Sequence, residues 1–129
     1  MDNKSLDKDL FILIGPDNFE AEVTNEERPV LLSFIYRDLE FEKHLEAMEG
    51  LSKCYADALK LCVLDAEFIG SLGEKLGVDG TPTFLVFEEG REKSRMLGQA
   101  DKEALEAFLS QALPDLGDDH HEPENFATD

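Results

Sequence analysis

The chain is poor in sulfur, in basic residues and in long apolar runs. Its 129 residues include no tryptophan and two cysteines, Cys54 and Cys62. That count provides neither a disulfide framework nor the paired Cys/His spacing of a zinc site, which argues against a small secreted scaffold and a zinc module. Basic residues number 12 against 30 acidic ones, for a formal net charge of -18. A field of that sign repels phosphate backbones and anionic lipid, so neither nucleic acid nor membrane is expected as a partner. It favours basic proteins, cationic segments or divalent cations, and a cation-buffering acidic domain is one reading of it. No apolar stretch is long enough to cross a bilayer, and residues 1–9 lack the apolar core of a secretory signal. With two unpatterned cysteines, a cytoplasmic protein is expected.

What the chain does contain is alternation of strand and helix signals. Val30 to Tyr36 is a β-branched, aromatic and aliphatic run too short for a buried helix, and reads as a strand covered on both faces. From Glu40 to Tyr55, the residues Phe41, Leu45, Met48, Leu51 and Tyr55 recur at helical spacing between charged residues, giving one apolar stripe. Leu59 to Leu64 returns to strand character, and Phe68, Ile69, Leu72 and Leu76 mark a second helix. Thr83 to Phe87 is a further strand, ending in the turn Glu88-Glu89-Gly90-Arg91, with Ser94 to Leu97 as its hairpin partner. Asp101 can cap a last helix whose inner face is Leu105, Phe108, Leu109, Ala112 and Leu113, and Leu10 to Ile14 supplies an early strand.

A strand, helix, strand unit followed by a hairpin and a helix requires a mixed sheet with helices on both faces, because parallel strands need crossover connections. The class is α/β, with about five strands in one domain. The domain is expected over 9–114, after a flexible N-terminus at 1–8 and before a disordered tail at 115–129, where acidic residues meet no Lys or Arg.

Three motifs carry a family resemblance: Arg28 to Phe34, Gly80-Thr81-Pro82-Thr83-Phe84-Leu85-Val86-Phe87, and the Gly98 that precedes the last helix. In this order and spacing, from about Phe11 to Leu113, the chain resembles the thioredoxin family. The resemblance implies a thioredoxin fold and a cis peptide bond before Pro82, with the backbone of Thr81 facing outward so that an extended peptide can pair with it.

The departures from the family are equally specific. Its enzymes attack disulfides with a low-pKa thiolate at a helix N-terminus, and a second cysteine three residues on resolves the product. Here Leu39 stands at the attacking position and Glu42 at the resolving one. Asp38 replaces the usual aromatic residue, Ser33 the buried acid and Ala47 the helix proline. The expectation is therefore no enzyme and no cofactor, but a redox-inactive adaptor or chaperone-like module that binds a protein or extended peptide, basic or apolar, as a monomer or weak dimer. Its groove would comprise Ile35, Tyr36, Leu39 and Phe41 on one side, Thr81 and Pro82 beneath, and Gly98 with Gln99 at the far edge. Asp38, Glu40 and Glu42 would form an acidic rim, or simply favour the positive helix end. The alternative is a thiol-disulfide oxidoreductase or isomerase using Cys54 or Cys62, although both are expected in inert, covered settings.

No metal site is expected. The string Asp118-Asp119-His120-His121-Glu122 lacks preorganised geometry, and His44 is expected on the polar side of the first helix, exposed to solvent.

Overall fold

The computed structural model describes residues 11–36, 41–114 and 116. Five strands and three α-helices follow one another as β1 (Phe11–Ile14), β2 (Val30–Phe34), α1 (Phe41–Tyr55), β3 (Lys60–Leu64), α2 (Ile69–Leu76), β4 (Thr83–Glu88), β5 (Arg91–Leu97) and α3 (Lys102–Ala112). The sheet order is β1-β3-β2-β4-β5, with β1, β3 and β2 parallel and β4 and β5 antiparallel to their neighbours. This is the expected α/β thioredoxin fold.

Every residue of β2 and β3 is buried, as a strand with helices on both sides requires. Period-two alternation sends Leu31, Leu61, Val63, Phe84 and Val86 to one face, where Leu45, Met48 and Leu51 of α1 and Leu105 and Leu109 of α3 cover them. Leu32, Phe34, Cys62, Leu64 and Leu85 go to the other face, beneath Val23 and the Ile69 and Leu72 of α2.

Local chemistry sets the boundaries. Asp101 Oδ1 accepts the Ala104 N–H at 2.9 Å and starts α3, while Gly77, at φ 72°, ends α2 in the left-handed region. Glu89 and Gly90 have φ of 55° and 81°, the pair of positive angles that a two-residue hairpin turn needs. A side chain at Gly90 would also meet the Thr24 carbonyl at 2.7 Å, so glycine is required there on two counts. The strand β5 begins at Arg91, three residues before the expected start, because a register shift at Val86/Phe87 lets the hairpin continue past an irregularity.

One element was not foreseen. A π-helical turn, Glu20–Thr24, packs Val23 into the core between β1 and β2. It is fastened through Lys60, whose Nζ donates to Glu22 Oε1 at 2.6 Å, to the Glu22 carbonyl at 2.9 Å and to Glu26 Oε1 at 3.1 Å. Arg28 Nε reaches the other oxygen of Glu26 at 2.7 Å. At the far edge of the sheet Arg95 ties β5 to the end of α2, donating to the carbonyls of Gly77 at 2.8 Å and Leu76 at 2.9 Å.

Candidate functional site

The sheet register brings the candidate residues to one end. Phe34 of β2 pairs with Thr83 of β4, and Thr83 pairs with Leu97 of β5. Tyr36, Pro82 and Gly98 each lie just beyond those partners, at the end where the parallel strands reach their carboxyl termini. Ligands of open α/β sheets bind outside such ends. The Thr81–Pro82 peptide bond is cis, and the Gly98 N–H donates to the Pro82 carbonyl at 2.9 Å, closing the loop against β5. Among the described residues no hydrogen bond engages the backbone of Thr81.

Three large apolar side chains are exposed among the described residues: Leu13 at 41%, Tyr36 at 50% and Leu97 at 65%. Two of them, Tyr36 and Leu97, flank the Pro82 loop. Gly98 and Gln99 are exposed beside them, and a Cβ built at Gly80 or Gly98 would meet nothing of this chain. Beyond Gln99 a cleft of about 290 Å³ opens between the first turn of α1 and the β5–α3 connection, lined by Lys43, His44, Gln99, Ala100 and Asp101. Leu97 is the exposed apolar side chain beside the loop that the sequence did not point to. Its place at the end of an expected strand gave no signal that the ladder leaves its side chain bare.

The expected groove is corrected at two positions. Ile35 is 2% exposed and Phe41 5%, and both belong to the core beneath α1 and α3, so neither side chain can meet a partner. They point inward because each falls on the covered face of its element. Leu39, Asp38 and Glu40 lie outside the described residues, as do 1–10 and the string at 118–122. Glu42 is exposed in the first turn of α1.

His44 is a third correction. It is buried, with its ring edge-on to that of Phe84 at a centroid distance of 5.9 Å, because it falls three residues after Phe41 and four before Met48, on the covered face of α1. Ser33, at the family's acid position, is fully buried and donates to Met48 Sδ at 3.0 Å.

Neither cysteine is in a disulfide, and the two serve opposite faces of the sheet, so they cannot bridge. Burial pushes the Cys62 thiol up to about 12. Cys54 is partly covered; burial raises its pKa first, and its hydrogen bond to Glu106 Oε2 at 3.2 Å second. Lys102, 2.8 Å from the same oxygen, works in the other direction. Among the described residues no group of three or more His, Cys, Asp or Glu is placed to hold a metal ion, and no helix is long and apolar enough to cross a membrane.

The thioredoxin family model matches residues 11–111. This chain belongs to the thioredoxin family. It is 26% identical over 106 residues to a thioredoxin of Acidithiobacillus ferridurans, covering 81% of this chain and 98% of that one. To thioredoxin C-2 of Corynebacterium nephridii it is 29% identical over 98 residues, 75% of this chain and 91% of the relative. A protein disulfide isomerase-like 2-2 of Oryza sativa subsp. japonica matches at 34% over 84 residues, 63% of this chain, which spans only 23% of that longer protein. The names of these relatives are those of oxidoreductases, and they overturn the expectation that the chain is not an enzyme.

Proposed function

We propose that this thioredoxin-family chain binds an extended polypeptide at the open end of its sheet, along the Thr81–Pro82 loop, and holds it in an adaptor or chaperone-like manner. One observation carries the reading: Tyr36 and Leu97 lie exposed on either side of a loop whose Thr81 backbone has no hydrogen bond among the described residues. An added strand would satisfy that backbone while its side chains cover the two apolar groups. The test is fluorescence anisotropy with labelled, reduced and alkylated insulin B chain. The variant Tyr36→Ser/Leu97→Ser should weaken binding roughly tenfold or more, as loss of anchor residues does. Unchanged affinity would remove the site.

The names of the relatives favour a second reading, thiol-disulfide exchange. Cys54 is the thiol with partial access. Its thiolate would attack a substrate disulfide, expel one thiolate and leave a mixed disulfide for an external thiol to resolve. With its pKa held up, the rate should climb as pH rises above neutral. Insulin reduction by dithiothreitol, followed by turbidity, tests it: acceleration that disappears in Cys54→Ser supports exchange at this thiol, and acceleration that persists excludes Cys54.

A further inference from the structure

Carboxylates surround the exposed apolar groups at the open end. Ser33 pairs with Val63 and Phe34 with Thr83, so Asp65 and Pro82 both stand at the level of Ile35, one strand to either side. At ordinary strand spacing their backbones are about 10 Å apart. Glu67 follows Asp65 and is exposed. Asp79 is exposed three residues before Pro82, at most about 11 Å away along the chain. On the opposite side Asp101 lines the cleft beyond Gln99, and Glu42 is exposed in the adjoining turn of α1. Among the described residues the nearby cations are Lys43, Arg95 and Lys102. Arg95 is held by Glu92 at 2.6 Å and also feels the charge of Asp79, and Lys102 is held by Glu106 at 2.8 Å, so among the described residues carboxylates outnumber cations here.

We infer that the polypeptide bound at the open end is a cationic, amphipathic extended segment, with apolar residues on Tyr36 and Leu97 and Lys or Arg at the alternate positions. The inference rests on the polypeptide-binding reading above and adds the charge of the partner. In an extended segment successive side chains point to opposite faces. When one set is seated on the apolar groups, the other set is directed to the rim, within about a Debye length (~8 Å at physiological salt) of the carboxylates. An anionic segment laid the same way would meet like charge on both sides. The net charge of -18 adds long-range attraction of the same sign.

The experiment uses three fluorescein-labelled eight-residue peptides of alternating Leu and Ser, in which two Ser are kept, changed to Lys, or changed to Glu. Anisotropy with the full chain should rank Lys over Ser over Glu, with roughly tenfold between Lys and Ser that shrinks in 0.5 M salt. Asp65→Asn/Asp79→Asn should weaken the Lys peptide roughly fivefold and leave the Ser peptide unchanged. Asparagine keeps the turn cap that Asp65 provides to the Glu67 N–H. Glu27→Gln/Glu89→Gln, at the other end of the sheet, should change neither. Equal affinity for the Lys and Glu peptides, or equal weakening by the two double variants, overturns the charge inference and leaves polypeptide binding standing. Failure of all three peptides to bind removes the underlying reading instead.

Discussion

Where β2 and β3 begin, Lys60, Glu22, Glu26 and Arg28 turn their charges on one another, and the buried ammonium has three acceptors within 3.1 Å. Where β2 stops, Tyr36 and Leu97 are exposed and no hydrogen bond engages the Thr81 backbone among the described residues. One end is closed by internal pairing of polar groups; the other presents apolar surface and a Thr81 backbone that has no hydrogen bond among the described residues. If the open end binds polypeptide as proposed, stability and recognition separate along the strand axis, and substitutions at the two ends should have opposite signatures.

The largest effect tests where the core stops. Phe41, in the first turn of α1 but 5% exposed, should lose about 3 kcal/mol of stability as Phe41→Ala, measured by denaturant unfolding. A loss under 1 kcal/mol would move the boundary of the open end inward to include it. Next comes the closed end. Lys60→Met removes the cation from between two carboxylates and should cost about 2 kcal/mol, less than a fully buried pair because Glu22 is partly solvated.

A smaller effect is the acid response of the same end. The hydrogen bond from Arg28, opposed by burial and aided by Lys60, lowers Glu26 from 4.5 to about 2. Between these values the unfolded chain binds the proton and the folded one does not, so the stability contributed by Glu26 is present above pH 4.5 and is lost as pH falls toward 2. On the order of 1 kcal/mol should disappear from unfolding free energies across this window, after allowing for solvent screening, and Glu26→Gln should flatten that part of the profile. The smallest stability effect belongs to Tyr36→Ser/Leu97→Ser, which should shift unfolding by no more than about 0.5 kcal/mol. A drop of 2 kcal/mol would make those side chains structural and erase the contrast.

Much of the fold was legible in the sequence because its signals are local. The continuous apolar runs of β2 and β3, the stripe of α1 and the Asp101 cap each follow from neighbours in the chain. The π-helical turn was not legible, since Val23 and the partly buried Phe19 sit in a polar stretch and are covered by contacts with residues distant in the chain. His44 is a different case: its charged neighbours suggest solvent, yet its spacing from Phe41 and Met48 already places it on the apolar stripe of α1. At the site, Pro82 and Gly98 were readable from motif and spacing. Exposure was not, because it depends on which side chains the folded sheet leaves uncovered, as the reversal between Phe41 and Leu97 shows. The step from missing family cysteines to a non-enzyme went beyond what absent residues can establish.

The two hydrogen bonds from Arg95 to the last turn of α2 fall two residues before Leu97. An edge strand would otherwise fray, yet here its terminus is braced by a helix, so the surface around Leu97 exists before any ligand arrives. A polypeptide bound there as proposed would forfeit little chain freedom on this side, and selectivity would be set by what approaches, with little left to remoulding of the receptor.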